Sequence, residues 1–363
     1  MPSRQPVHAR HCHEPHRRYD RRKADAWRAG CGRWLVASLI YLLVAALPAT
    51  AETYRVMTFN TGLSRDGPGL LVRDLMGEEP DADLKRLAAL SPDIAVLQNV
   101  DYDHDHIVLG LIQARLAALG HEMPHAFTSR PNTGIDSGFD LDRNGKLGEP
   151  RDMLGYGRFA GQGGIVVLSR FEIVENDVYD LSGVQWRDED AAALPAGNYF
   201  PDALLARMPL HSVAAWDVAI RTPKGLLRLL TADASPPAFD GPEDRNGLRN
   251  AAELRFWSRY INTHHLADQR FVLLGTLNND PSGGDGHKRA INQLLGHTAL
   301  QDPKPMSDGN SVTADWPDRN LALRVDYILP SHRLGVRAAG VERAPQAADG
   351  TRHYPVWVDI VWE

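Results

Sequence analysis

Residues Phe271–Gly286 read FVLLGTLNNDPSGGDG. A short run that is apolar on both faces, followed at once by polar Thr-Leu-Asn-Asn-Asp and then Pro and Gly, reads as a buried strand. It delivers polar side chains to a turn at its end. The pattern recurs outward in both directions: YRVMTFN at Tyr54–Asn60, PDIAVLQN at Pro92–Asn99, LRVDYILPS at Leu323–Ser331 and RHYPVWVDI at Arg352–Ile360. Strands are expected at Tyr54–Asn60, Ile94–Gln98, Ile165–Ser169, Trp216–Ile220, Leu226–Ala232, Phe271–Gly275, Leu323–Leu329 and Val356–Val361. The period of 3.6 places helices at Asp83–Leu90, His106–Leu119, Leu248–Thr263 and His287–Leu295. Alternation of this kind defines one α/β domain with many strands. Residues 121–162 and 180–212 carry no clear period and read as loops or insertions over one end of the sheets. Polar residues gather at strand ends: Asn60, Asn99, Asp233, Asn278, Asp326 and His353. In α/β folds such positions build the ligand site.

Composition bounds the partners. The chain has 363 residues, 43% of them hydrophobic and 24% charged, as in a soluble globular protein. Its net charge of −6 is unevenly spread: residues 1–51 hold nine Lys/Arg against three Asp/Glu. The remainder is therefore acidic, which disfavours electrostatic affinity for duplex nucleic acid. A phosphorylated or anionic small molecule is the better-matched partner.

The basic start leads into WLVASLIYLLVAAL (Trp34–Leu47) and then Ala49-Thr50-Ala51, the layout of a secretory signal peptide. Fourteen helical residues span about 21 Å, short of the roughly 30 Å hydrocarbon core. Residues 1–51 are expected to be removed, leaving a secreted or periplasmic chain from Glu52 with no membrane span. Both cysteines, Cys12 and Cys31, precede that cut, so the exported body has no disulfide and no thiolate.

The ordered segments YRVMTFN, PDIAVLQN, GRFAGQGGIVVLSRFEI, SPPAFDGPEDRNGLRN, FVLLGTLNNDPSGGDG, LRVDYILPS and RHYPVWVDI resemble the endonuclease/exonuclease/phosphatase superfamily, with its deoxyribonuclease I-like fold. FDGPEDRNG resembles a branch of bacterial secreted members in particular. The resemblance implies a four-layer α/β sandwich, with two mixed, largely antiparallel sheets flanked by helices. It also implies phosphoester hydrolysis with Mg²⁺ or another divalent cation held by carboxylates, and a His paired with an Asp to activate water.

Carried over position by position, the family pattern is half kept. Asn60, Asn278, Asp326 and His353 match catalytic positions. The metal-binding Glu is Asn99 here, the Asp of GDxN is Thr276, and the second catalytic His is Asp233. Arg352 stands where an Asp precedes the terminal His. A metal site would rest weakly on Asn99 and Asp326, since an amide oxygen carries no charge for a hard cation. Hydrolysis is accordingly expected to be weakened or lost. The alternatives are a pseudoenzyme holding an anionic ligand through Arg352, Asn60, Asn278 and His353, or an interaction protein with a closed cleft. Because the signs at 233 and 352 are exchanged relative to the family, Asp233 and Arg352 are expected to pair.

Two further groups stand out. FDLDRNGKLGE places Asp140, Asp142 and Asn144 ahead of Gly145, the front half of a Ca²⁺-binding loop. Arg151 occupies its twelfth position, and Asp152 comes one residue late. Asn246 and Asn250 are candidate substrate-binding residues at the start of a helix, where Asn246 would otherwise serve as a cap. Arg245 and Arg249 read as partners in local ion pairs.

Overall fold

Alternation along the strands decides the layering. In β1 (Glu52–Asn60), Tyr54 and Val56 enter one core while Met57 and Phe59 enter another. In β8 (Phe271–Thr276), Val272 and Leu274 share the core of Tyr54 and Val56, whereas Phe271 and Leu273 face away from it. Such two-sided burial needs an apolar layer on each face of each strand. The computed structural model supplies it, and describes residues 52–79, 81–343 and 350–362. The expected signal peptide lies outside these described residues. Among them, no helix is long and apolar enough to cross a membrane.

The first sheet runs β12 (Gly335–Val341), β13 (Val356–Trp362), β1, β2 (Ile94–Val100), β4 (Gly164–Ser169) and β3 (His125–Phe127). The second runs β11 (Asp326–Pro330), β8, β7 (Gly225–Asp233), β6 (Ala215–Thr222) and β5 (Glu172–Asp180). Each sheet is antiparallel except for one parallel pair, β1 with β2 and β7 with β8. The central core joins the facing sides of the two sheets. Helices Leu70–Leu75, Ala82–Leu90 and Ile107–Ala118 cover the outer face of the first sheet. Helices Arg245–Thr263 and Lys288–Leu295 cover that of the second, with the short helix Trp186–Asp190. This is the four-layer sandwich that the sequence implies. Local chemistry agrees: Asp81 accepts the Asp83 N–H to cap the helix Ala82–Leu90.

The parallel pairs position the site. They bring the carboxyl ends of β1, β2, β7 and β8 to one edge, and β11 starts at that edge. Some elements differ from the sequence expectation. The strand expected at Leu323–Leu329 is broken into β10 (Leu321–Leu323) and β11, because the Thr313 hydroxyl accepts the N–H groups of Val325 and Asp326. β10 pairs instead with β9 (Ala314–Trp316). The helix expected from Leu248 begins at Arg245.

Candidate functional site

Register places Asp233 opposite Thr276 across β7 and β8, and Thr276 opposite Asp326 across β8 and β11. Directly paired residues share a face, so a carboxylate, a hydroxyl and a second carboxylate form one row, about 4.8 Å between strands. β8 approaches β7 closely here: Gly275 has φ 142°, and a side chain on it would collide with Ala232 O.

The row continues into the first sheet. Asn60 Nδ2 donates to Thr276 Oγ1 at 3.1 Å, and the Thr276 hydroxyl donates to Asp326 Oδ1 at 2.7 Å. His353 Nδ1 lies 2.9 Å from Asp326 Oδ2 and 3.1 Å from Oδ1. Trp316 meets the His353 ring edge-on at 5.6 Å. Thus Asn60, Thr276, Asp326 and His353 form one hydrogen-bonded chain, with Asp326 fully buried behind it. Arg352 stands where the resembling family has an Asp, and it is Asp326 that fixes the His353 ring.

Asn99 is the extra residue of a bulge, since Gln98 pairs with Ile165 and Val100 with Gly164. It sits at φ 58°, a left-handed conformation that Asn tolerates, and its amide donates to Thr61 O at 2.7 Å. Asn278 is also left-handed, at φ 54°, and its amide donates to Ala234 O at 2.8 Å. Asn60, Asn99, Asn278, Asp233, Arg352 and His353 all line one open cavity of about 930 Å³.

The cleft is therefore open. Its far walls come from the two aperiodic stretches: Thr133, Met153 and Tyr156 on one side, Trp186, Phe200 and Ser212 on the other. The helix residue Arg249 donates to Leu154 O, Pro209 O and Leu210 O, each at 2.8 Å, and so ties both walls to one side chain. Burial draws its guanidinium down to about 10. Glu253, one turn on, accepts the N–H groups of Ser212 and Ser235. A side chain on Gly155 would collide with Ser212 O, so only glycine allows the walls to approach this closely. The same approach leaves His211 fully buried against Phe256, and burial lowers its imidazole to about 3.

Arg352 does not pair with Asp233. Among the described residues no carboxylate lies within ion-pair reach of Arg352, and no hydrogen bond reaches the Asp233 carboxyl group. Burial, with the charges of Asp326 and Glu253 nearby, raises Asp233 well above the usual carboxylate range. The reason is physical: burial and neighbouring acids both disfavour the charged form of a carboxyl.

Asn250 is fully buried and does not line the cavity; its amide donates to Ser235 O and Leu277 O. Asn246 does line it, but is no cap: its N–H donates to Asp240 and its amide to Ala238 O. Arg245, read from sequence as a local ion-pair partner, lines the cavity as well. Only its place in FDGPEDRNG, beside the residues singled out, marks it in the sequence.

A hard cation at the mouth would need charged oxygens, and the donor set does not fit. Asp326 already accepts from Thr276 and His353, Asn99 offers an uncharged oxygen, and Asp233 is drawn toward its neutral form. Among the described residues, the carboxylates that cluster within 4.8 Å belong to Asp140, Asp142 and Asp152, outside the cavity. Asp152, one residue late in the sequence pattern, is brought in by the turn at Pro150–Asp152. Its oxygens accept the N–H groups of Leu141 and Glu149, while Asp140 accepts those of Asn144 and Gly145.

This fold belongs with a known class. The model of the endonuclease/exonuclease/phosphatase family matches residues 57–353, and the chain belongs to that family. Its members generally depend on a divalent cation. No curated protein is a significant match. Among solved structures, a family protein from Beutenbergia cavernae is similar at 20% identity and TM-score 0.53, covering 85% of this chain and 72% of its own. One from Bacteroides vulgatus is similar at 13% identity and TM-score 0.50, covering 86% and 100%. These identities speak for the fold alone.

Proposed function

We propose that this chain is an exported member of the family whose mouth binds a phosphorylated or other anionic small molecule, with hydrolysis weak or absent. The observation that carries the reading is the chain Asn60–Thr276–Asp326–His353, whose hydroxyl also stands between Asp233 and Asp326 in the cross-strand row. A hydroxyl is no carboxylate base at neutral pH. Asp326 and His353 retain a fixed proton-sharing pair at the cavity wall, while Arg352 offers a guanidinium fork suited to an oxyanion.

The test combines calorimetry of Mg²⁺, Mn²⁺ and Ca²⁺ with an assay on bis-p-nitrophenyl phosphate. The expected result is no Mg²⁺-stimulated turnover, and inorganic phosphate binding that Arg352→Met weakens. Robust Mg²⁺-dependent turnover abolished by Asp326→Ala would sink the reading. Ca²⁺ belongs, in this reading, to the Asp140, Asp142 and Asp152 cluster, and Asp142→Ala should remove its calorimetric signal. Export is tested separately by sequencing the amino terminus of the chain recovered outside the cytoplasm, expected at Glu52.

A further inference from the structure

Arg245 opens the helix Arg245–Thr263 and lines the cavity, yet its side chain is only 8% exposed. A guanidinium so buried ordinarily spends its five donors on acceptors. Arg245 makes no hydrogen bond through its side chain to any described residue, and its Nε is sealed from solvent without a partner. It does form the local ion pair expected from the sequence, with Glu243, but loosely: Oε1 lies 3.8 Å from Nε, beyond hydrogen-bond range. That oxygen is already approached by the Tyr199 hydroxyl and the Gly241 N–H, each at 3.3 Å. The other acids beside it are engaged too. Asp240 accepts the Asn246 N–H at 2.6 Å, and Asp244 Oδ2 lies 2.6 Å from His287 Nε2. By contrast Arg249, one turn further along, satisfies its fork on three carbonyls.

We propose that Arg245 forms a second oxyanion subsite in the cavity, so that the ligand carries two anionic groups, one at Arg352 and His353 and one at Arg245. The second group is a phosphate or a carboxylate, since a planar fork with open donors takes either in a bidentate manner. The first subsite rests on the proposed function; the second rests on Arg245 alone.

The full chain is titrated calorimetrically with inorganic phosphate and, separately, with acetate, as wild type and as Arg245→Met, Arg245→Lys and Arg352→Met. Two phosphate sites are expected in the wild type. Arg245→Met should weaken one of them at least tenfold, the scale of a lost charge-assisted pair. Arg245→Lys should fall between, keeping the charge and losing the fork. A loss confined to the acetate titration assigns a carboxylate to the subsite, and one confined to phosphate assigns a phosphate. If Arg352→Met weakens phosphate and Arg245→Met changes neither anion, the second subsite is refuted and the proposed function stands. If Arg245→Met weakens binding and Arg352→Met does not, the Arg352 subsite fails instead. Should Arg245→Met not fold, the arginine Nε–H resonance of the wild type that Arg245→Lys lacks is followed. A shift with added anion supports the subsite, and no shift overturns it.

Discussion

The Thr276 hydroxyl donates to Asp326 Oδ1 at 2.7 Å, so that a neutral group separates Asp233 from Asp326 in their shared row. Replacing it by Thr276→Asp would set three carboxylates side by side. The variant is expected to lose on the order of 2–3 kcal/mol in the absence of metal. Combined with Asn99→Glu, it should regain stability on adding Mg²⁺. Thermal unfolding with and without Mg²⁺ checks both, and a variant as stable as the parent without metal would refute the role given to this bond.

Asp233 makes stability depend on pH. Its pKa is raised in the folded protein by burial and by Asp326 and Glu253. A raised carboxyl favours folding below the unfolded-state value, and that contribution is lost as pH climbs through the folded value. Stability should therefore fall from mildly acidic toward alkaline pH, and Asp233→Asn should flatten the fall. At pH 8 the variant is expected to melt higher by about 2–4 °C for each kcal/mol relieved. Identical pH profiles for the two proteins would count against it.

Arg249→Met strips three carbonyls of their donor and leaves Glu253 buried without the nearby cation. A loss of roughly 3–5 kcal/mol is expected, measured by urea unfolding. Glu253→Gln keeps an acceptor for one of two N–H groups and should cost less. Equal losses from the two changes would contradict this ordering.

Buried Arg324, just before β11 and Asp326, and partly buried Asp302 form a bidentate pair at 2.5 and 2.8 Å. Burial pushes the Asp302 carboxyl up, but the hydrogen bonds and charge of Arg324 outweigh it and hold the group below its usual value. Its contribution is present above the unfolded pKa and is lost as pH falls through the folded one. Asp302→Ala should therefore destabilise strongly at pH 7 and much less at pH 3. A destabilisation unchanged between the two would argue against the pairing.

Strands buried on both faces were legible in the sequence because their composition is set locally: Phe271–Thr276 admits no other environment. Two of the edge strands were not. Glu172–Asp180 is largely polar, with an irregular register between Ile173 and Val178, and Gly335–Val341 is rich in Gly and Ala. Their strand state depends on the neighbour they pair with. The site was legible as a set of positions, since each polar residue ends or begins a strand. Its partnerships were not. Asp233 and Arg352 look complementary as letters, yet burial raises the carboxyl of one and the other lines the cavity without reaching it. That no hydrogen bond takes up the fork of Arg245 is invisible without knowing which acceptors its neighbours have already taken.

Both far walls of the cavity are fastened to Arg249, and this sets the manner in which a ligand arrives. Walls ordered during folding leave little conformational entropy to be removed on binding. Entry then needs no closing step, so its rate follows diffusion and the local field at the mouth. The heat-capacity change on binding will report the apolar surface the ligand covers and not the ordering of loops. The proposed ligand would meet walls already in place, and their shape would sort candidates at the moment of contact, without a loop folding over them.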